Sequence, residues 1–268
     1  MTNKNSREQK LEAFGKLLDV IDELREKCPW DSIQTNESMR PNTIEEAMEL
    51  AEALLGDDNE KIKKELGDVL LHVLLYARIG EETGAYDVAE VCEALRKKLI
   101  FRHPHIYGND KVSGVKELLE HWEVTKMKEK DGNKTILGGV PSTLPSLIKA
   151  ERVQEKAANV GFDWDKKEDV REKVKEELNE VEAEMKTGND VNLEKEFGDL
   201  FFSLVNAARL YGVRPDTALE KTNLKFIARF NYVESQAKAQ GKSLNNMTLA
   251  EMDELWNEAK RLEVEAKD

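Results

Sequence analysis

Cysteine, proline and aromatic residues are scarce in this chain, and long apolar runs are missing. Among 268 residues there are two cysteines and six prolines, and aromatic residues make up 6%. Two cysteines without a CxxC pair indicate no disulfide framework, so we expect reduced thiols and a cytoplasmic protein. The longest apolar stretch, Val69 to Ala77, is interrupted by His72, which predicts no membrane-spanning segment. The first ten residues also lack the apolar core of a signal peptide.

A basic surface is missing as well. The net charge is −13, and there is no block of like positive charges interleaved with aromatic residues. This balance argues against a protein that coats nucleic acid. It does not exclude a small anionic ligand, because a metal ion and a few local cations can neutralise one. Glu, Lys, Leu and Ala dominate, and no run of alternating β-branched residues stands out, so we expect an all-α chain.

The most informative feature that is present is an acidic pattern that occurs twice. Each copy has an EExxE motif followed, after fifteen residues, by ExxD, and every acid of the second copy lies 131 positions after its counterpart. The five acids are Glu45, Glu46, Glu49, Glu65 and Asp68 in the first copy, and Glu176, Glu177, Glu180, Glu196 and Asp199 in the second. Acidic composition alone would not keep five positions in register, so the pattern indicates a duplicated site.

Each copy is predicted to form a helical hairpin. Turn-forming residues lie midway, at Gly56–Asn59 and Thr187–Asp190, and the flanking segments carry apolar residues at helical intervals. Acids three residues apart share a helix face, and packed helix axes lie about 8–10 Å apart, so the acids of one hairpin should converge. The predicted opposing pairs are Glu49–Glu65 and Glu46–Asp68 in the first copy, and Glu180–Glu196 and Glu177–Asp199 in the second.

Four converging carboxylates must be neutralised by protons, by basic side chains or by a cation. Two like charges about 4 Å apart repel by roughly 4 kcal/mol at an effective dielectric constant near 20. Oxygen-only ligands favour magnesium, manganese or calcium over zinc. For one copy alone, a solvated acidic helix face explains the motif equally well. The matched duplication favours a shared divalent ion.

The remaining sequence predicts two domains in tandem. We expect a first helical domain at residues 1–128, a turn-rich linker at 129–146, and a second helical domain at 147–268. Each repeats the same order: an opening helix, a Trp-Asp connection, the acidic hairpin and a basic helix.

Two kinds of side chain outside the acidic motifs are candidates for nucleotide contacts. The basic helices place a lysine and an arginine four residues apart, Lys98 with Arg102 and Lys225 with Arg229. Such a pair suits a polyphosphate clamp, or else an exposed cationic face that balances nearby acids. Trp256 on the last predicted helix suits either hydrophobic packing, which composition favours, or stacking on a nucleobase.

The chain resembles the MazG family of nucleoside triphosphate pyrophosphohydrolases in its tandem-domain form. The resemblance covers nearly the whole length and begins with EExxE followed by ExxD. Further motifs carry it: CPWD with QT at residues 28–35, ELGD (65–68), FRHPH (101–105), AANVGFDW (157–164), EFGD (196–199), NAAR (206–209), NLKFIARFNYVE (223–234) and MDELWNEAKR (252–261). Asn36 and Phe101 depart from the family pattern, and neither belongs to the acidic motifs.

The resemblance implies an all-α enzyme that hydrolyses nucleoside triphosphates, and dNTPs with them, between the α and β phosphates. It implies a Mg²⁺ cofactor, with Mn²⁺ as a possible substitute, and a homodimer. The role it implies is sanitation of the nucleotide pool. The metal ligands expected are Glu177, Glu180, Glu196 and Asp199, with a second set at Glu46, Glu49, Glu65 and Asp68. Glu176 and Glu177 are the catalytic candidates. The nucleotide contacts expected are Lys173, Lys195, Asp199, Lys225, Arg229 and Trp256, with Lys98 and Arg102 as phosphate contacts of the second set.

Three points stay open from sequence alone. In tandem relatives the second domain can carry the activity, so we expect turnover at the C-terminal site, and metal binding with weaker or absent turnover at the first. A narrower pyrophosphohydrolase for dUTP or phosphoribosyl-ATP is one alternative activity. A non-catalytic helical module that binds cations or a basic partner is the other. The sequence does not indicate a base preference.

Overall fold

The computed structural model describes residues 5–109, 113–114, 117–118, 121–122, 125–126, 129 and 134–265. Within these ranges the chain forms helices, turns and connections without a strand, which confirms the all-α prediction. None of the described helices is both long and apolar enough to cross a membrane. The helices are α1 (Arg7–Lys27), α2 (Asn36–Ala53), α3 (Asn59–Glu82), α4 (Val88–Arg102), α5 (Pro104–Tyr107), α6 (Ser146–Ala158), α7 (Asp169–Thr187), α8 (Asp190–Leu210), α9 (Pro215–Ala239) and α10 (Leu249–Glu265).

The chain divides into two compact units, Met1–Val112 (unit 1) and Ser113–Asp268 (unit 2). The segment that the sequence predicted as a linker, 129–146, falls in unit 2, and its described part packs against α6. There, the buried Lys156 ammonium donates to the Ile136 carbonyl at 3.1 Å, and Lys149 donates to the Ser142 carbonyl at 2.5 Å. The predicted end of the first domain, at residue 128, lies outside the described residues.

Unit 1 is built on the α2–α3 hairpin, with α1 and α4 packed against α3. Leu74 and Leu75 of α3 are buried with Ile21 of α1. Arg25 is 9% exposed and binds Glu82 through two hydrogen bonds, Nε to Oε1 at 2.8 Å and Nη2 to Oε2 at 2.9 Å. Its Nη1 donates to the Gln34 carbonyl at 2.9 Å, so one guanidinium holds the Trp-Asp connection against α1 and α3.

Unit 2 is built on the α7–α8 hairpin, with α6 packed against α8 and α9, and α10 packed against α9. Val233 and Ala237 of α9 form a hydrophobic core with Met247 and Leu255. Arg214, just before α9, donates to Glu151 at 2.9 Å and to Glu155 at 2.7 Å, both on α6. The contact fixes α6 beside the second hairpin.

Both predicted hairpin turns are confirmed, each with a side chain that starts the following helix. Asp58 accepts from the backbone N–H groups of Glu60 and Lys61 at 2.9 and 3.2 Å. In unit 2, Gly188 has φ of 71°, a left-handed conformation that ends α7 and that glycine adopts without steric cost. Asn189 then caps α8 by accepting from the Asn192 N–H.

Candidate metal and nucleotide site

The acidic motifs converge in both hairpins, as the sequence predicted, but each hairpin brings together three acids rather than four. In unit 1, Glu46 and Glu49 of α2 meet Glu65 of α3, and in unit 2, Glu177 of α7 meets Glu196 and Asp199 of α8. One carboxylate oxygen from each member lies within 4.8 Å of the others. We call these trios the first cluster and the second cluster.

The two remaining quartet members lie beside the clusters rather than in them. Asp68 is bridged to Glu65 by Lys64, whose ammonium lies 3.3 Å from Asp68 Oδ2 and 3.1 Å from Glu65 Oε1. Glu180 is exposed, yet the loss of solvent and the carboxylates of Glu177 and Glu196 raise its pKa. Asp68 thus neighbours Glu65 through Lys64, and Glu180 is close enough to Glu177 and Glu196 to feel their charges.

Each cluster contains one carboxylate oxygen that is buried and lacks a hydrogen-bond partner among the described residues. These atoms are Oε2 of Glu65 and Oε2 of Glu177, whose residues are 3% and 5% exposed. Leaving a charged oxygen buried and unpaired is costly, so a hydrogen-bond donor or a cation is needed to satisfy it. An all-oxygen donor set with a buried, unpaired member fits a hard divalent ion such as Mg²⁺.

The two clusters are partly neutralised by lysines from different helices. Lys64 on α3 serves the first cluster, as described above. In the second, Lys173 on α7 lies 2.8 Å from Glu176 Oε1 and 2.7 Å from Glu177 Oε1. Hydrogen bonds to these acids hold the pKa of Lys173 above its usual range, and bonds to Glu65 and Asp68 do the same for Lys64. Both lysines are therefore firmly cationic.

The other predicted site residues outside the clusters are mostly exposed on their helices. Glu176 is exposed and its recorded partner is Lys173. Lys195 is exposed on α8 next to Glu196 and makes no ion pair with the described residues. In unit 1, Lys98 is exposed on α4, and Arg102 ends the same helix. The catalytic role of Glu176 and the phosphate contacts of Lys195, Lys98 and Arg102 stay predictions.

The structure gives Arg229 and Trp256 partners within the α9–α10 pair. Arg229 binds Glu263 through two hydrogen bonds of 3.0 and 2.7 Å, and its guanidinium lies 5.6 Å from the Trp256 ring centroid. The Trp256 ring also lies 4.9 Å from Phe226 and packs against the hydrophobic core of unit 2. Lys225 is exposed on the same helix. The recorded contacts of Arg229 and Trp256 are thus packing and ion-pair contacts, and their nucleotide role stays a prediction.

A cleft of about 760 Å³ lies beside the second cluster. It is lined by Lys173, Glu177 and Asp199 together with aromatic and amide side chains from α6, α8 and the connection before α7, among them Gln154, Phe162, Trp164, Phe202 and Asn206. Its acidic and basic lining includes Asp163 and Arg209, which bind each other through Nη1 to Oδ2 at 3.0 Å. Burial opposes ionisation of Asp163, but hydrogen bonds from Arg209 and the Trp164 N–H lower its pKa.

Sequence reasoning did not assign this cleft. Its side chains come from segments that are distant in sequence, and neutral residues such as Gln154 carry no charge pattern. One signal was available in the hairpin register of 131. Asn206 corresponds to Leu75, and Lys173 to Asn42, so the two copies differ at these two positions of the cleft lining.

Both acidic hairpins fall within a domain of a known protein family. The family model described as the MazG nucleotide pyrophosphohydrolase domain matches twice, at residues 34–107 and 166–234, and each match includes one acidic hairpin core. A nucleoside triphosphate pyrophosphohydrolase of Escherichia coli (strain K12) is 37% identical over 259 residues, covering 94% of this chain and 98% of that protein.

Two further relatives extend the comparison. The nucleoside triphosphate pyrophosphohydrolase/pyrophosphatase MazG of Thermotoga maritima is 41% identical over 92% of this chain and 95% of its own length. The uncharacterized protein YabN of Bacillus subtilis is 44% identical over 93% of this chain, which spans 52% of that protein. The chain therefore belongs to the MazG family of nucleotide pyrophosphohydrolases and is an enzyme of that class, with the family's domain present twice.

Proposed function

We propose that this enzyme hydrolyses nucleoside triphosphates, and dNTPs with them, to nucleoside monophosphate and pyrophosphate, and that the second cluster is the principal active site. The observation that carries the proposal is the second cluster itself: three carboxylates converge, one has a buried unpaired oxygen, and Glu177 and Asp199 among them line a cleft of about 760 Å³. Relatives that this chain covers almost end to end bear the name of that activity.

Mg²⁺ is the proposed cofactor, with Mn²⁺ as a possible substitute. Glu177, Glu196 and Asp199 would hold it, with Glu180 beside them. Bound magnesium supplies positive charge that neutralises phosphate oxygens and makes water more acidic. In unit 1, Glu46, Glu49 and Glu65 offer the same donor set, with Asp68 beside them, so we propose that the first cluster also binds the ion.

The side chains of the chain position the triphosphate and the attacking water. Phosphoryl transfer depends mainly on positioning and charge neutralisation. Lys173 and Lys195 flank the second cluster. They would contact phosphate oxygens once the carboxylates of the cluster hold the metal ion. Water would attack one of the two phosphorus atoms that the α–β bridging oxygen joins. The bond between that phosphorus and the bridging oxygen would break, which separates the nucleoside monophosphate from pyrophosphate. Glu176 would accept the proton of the water. Glu177 would share in orienting that water.

Two observations support placing turnover in unit 2. The cleft beside the second cluster provides room for a nucleotide, whereas the matching hairpin positions of unit 1 hold the buried side chains His72 and Leu75. Thr43 Oγ1 lies 2.9 Å from His72 Nδ1 and 2.6 Å from the Tyr76 hydroxyl, so these polar groups are already paired with one another. The first cluster is thus suited to an ion more than to a nucleotide.

We also propose a homodimer in the cytoplasm. Large apolar side chains on α8 and α9 stay exposed in the single chain, including Phe201 at 58%, Phe226 at 56% and Ile227 at 53%. Exposed apolar surface of this extent is typical of an interface between copies. Both cysteines are free, as expected for a reducing compartment. Sedimentation equilibrium on the full chain would test the dimer, and a monomer at micromolar concentration would refute it.

The test of the activity is a product assay with and without Mg²⁺. Purified enzyme should convert ATP to AMP and pyrophosphate in a 1:1 ratio, which ³¹P NMR measures. EDTA should stop the reaction. Calorimetry should detect Mg²⁺ uptake that Glu177→Gln and Glu46→Gln each diminish. No cleavage of any of the four NTPs at high enzyme concentration would reject the proposal and favour a helical module that binds cations or a partner.

A further inference from the structure

Gln154 on α6 carries a buried oxygen that the protein itself does not satisfy. The residue is 6% exposed and lines the cleft beside the second cluster. Its Nε2 donates to the Phe202 carbonyl at 2.9 Å, which fixes the orientation of the amide because two carbonyl oxygens cannot form a hydrogen bond with each other. Its Oε1 is buried and has no hydrogen-bond partner among the described residues. The oxygen therefore lacks a donor, which an N–H group of a ligand in the cleft would supply.

The lining of the cleft away from the acidic cluster suits an uncharged planar ring. Trp164 and Phe202 offer partly exposed aromatic faces, 38% and 44% exposed. Arg209 is bound to Asp163, so neither contributes a free charge. Asp165 and Asp169 are further carboxylates of the lining and would repel phosphate there. The phosphates therefore belong at the cluster end of the ligand, and a base fits the aromatic and amide surface.

A second amide in the cleft complements Gln154. Asn206 on α8 uses its Oδ1 to accept from Arg209, at 2.7 Å from Nη2 and 3.3 Å from Nε. This bond leaves the Nδ2 of Asn206 as the group that can donate to a ligand. The cleft thus presents one acceptor and one donor, which is the pattern that reads the hydrogen-bonding edge of a base.

We propose that the cleft seats the nucleobase of the substrate, and that Gln154 Oε1 accepts a hydrogen bond from an N–H group on its Watson–Crick edge. Gln154 is then a specificity-determining residue. Every natural base carries such an N–H group, so the contact distinguishes nucleoside triphosphates from analogues without one rather than one natural base from all others. This inference rests on the proposed function.

The test compares substrate pairs that differ only in the donor. ATP is paired with purine riboside 5′-triphosphate, and CTP with the triphosphate of pyrimidin-2-one riboside, since both analogues lack the exocyclic amine and any ring N–H. For the full-length enzyme, kcat/KM should be at least about tenfold higher for the natural member, because the analogue leaves Oε1 unpaired. In Gln154→Met the ratio should approach one, mainly through a higher KM for ATP and CTP.

The design contains its own controls. A variant that folded poorly would lose activity on both members of a pair, so the ratio isolates the contact. Gln240→Met makes the same exchange at an exposed glutamine outside the cleft lining and should keep the wild-type ratio. Equal ratios in the wild type and Gln154→Met, or a wild-type ratio of one in both pairs, would overturn this inference while leaving the activity intact. Failure to cleave any NTP would instead overturn the proposed function.

Discussion

The two acidic hairpins carry the same motif and the same donor chemistry, yet their surroundings differ. In both, a buried glutamate with an unpaired oxygen meets two further acids. Beside the second cluster lies a cleft with amide and aromatic lining, whereas the matched positions beside the first hold buried His72 and Leu75. If the second cluster is the active site, as we propose, the acidic motif does not by itself define an active site. The side chains that surround the acidic cluster decide whether a substrate has room beside it.

The largest effect is expected from removing one matched carboxylate from each cluster. Glu177→Gln should reduce pyrophosphate release by about 100-fold or more, because it removes a ligand charge from the proposed catalytic centre. Glu46→Gln, the same exchange at the matched position, should change the rate by less than about twofold. Steady-state assays with ATP measure both. Near-complete loss in Glu46→Gln with a normal rate in Glu177→Gln would reverse the assignment of the two clusters.

Exchanging the residues that differ between the two hairpins should separate stability from binding. Leu75→Asn in unit 1 buries an amide in place of an apolar side chain and should cost about 3 kcal/mol of unfolding free energy in urea titrations. Asn206→Leu in unit 2 should leave the fold intact and raise the KM for ATP about tenfold, because it removes a donor from the cleft. A normal KM for Asn206→Leu would show that the cleft does not hold the nucleotide.

The lysine difference gives a smaller, more specific effect. Lys173→Asn copies Asn42 of the first hairpin and should raise the KM for ATP on the order of tenfold, because one charge-assisted phosphate contact is lost. The reciprocal Asn42→Lys adds an ammonium beside the first cluster and should leave turnover at the wild-type level. Initial rates over a range of ATP concentrations distinguish these outcomes. An unchanged KM in Lys173→Asn would remove Lys173 from the phosphate site.

The smallest effect concerns acid. Each unit holds a carboxyl group whose pKa is lowered to about 2, Glu93 by hydrogen bonds from Arg96 and Glu251 by hydrogen bonds from Lys242 and Thr248. Because the folded pKa lies below the ordinary value of 4.5, each contributes stability that is full above about pH 4.5 and is lost as the pH falls through 2.

Glu251→Gln should therefore destabilise unit 2 at pH 7, and its difference from the wild type should shrink towards pH 2. Its effect should exceed that of Glu93→Gln, because Lys242 lies before α10 while Arg96 lies on the same helix as Glu93. Thermal unfolding followed by circular dichroism at pH 7, 4 and 2.5 measures both. Glu254→Gln, at an exposed glutamate on α10, is the matched control. A constant difference across pH would contradict the assigned pKa.

The hairpins could be predicted from sequence because their signals are local. Apolar spacing set the helices, and Asp58 and Gly188 marked the turns that the structure confirms. Convergence of the acids followed from helix geometry. The identity of the three acids in each cluster did not follow, because residue spacing does not determine which side-chain oxygens meet, and Asp68, for example, is bound by Lys64 beside the first cluster.

The cleft could not be predicted, because it depends on tertiary packing. Gln154 reaches Phe202 only after α6 docks on α8, and that docking is held by Arg214 from the start of α9. No local pattern encodes these contacts. The surroundings of Trp256 also required the fold, since a tryptophan on an amphipathic helix has the same sequence signature whether it packs inside or stacks on a base.

All donors of the second cluster lie between residues 177 and 199, and those of the first between 46 and 65. Because each set of acids is confined to one helix–turn–helix, copying a short stretch of gene transfers all the proposed ion ligands at once. The residues around the hairpin then determine whether a substrate can bind beside it. The hairpin can therefore be duplicated as a unit while the residues around the two copies diverge, as Asn42 and Lys173 do.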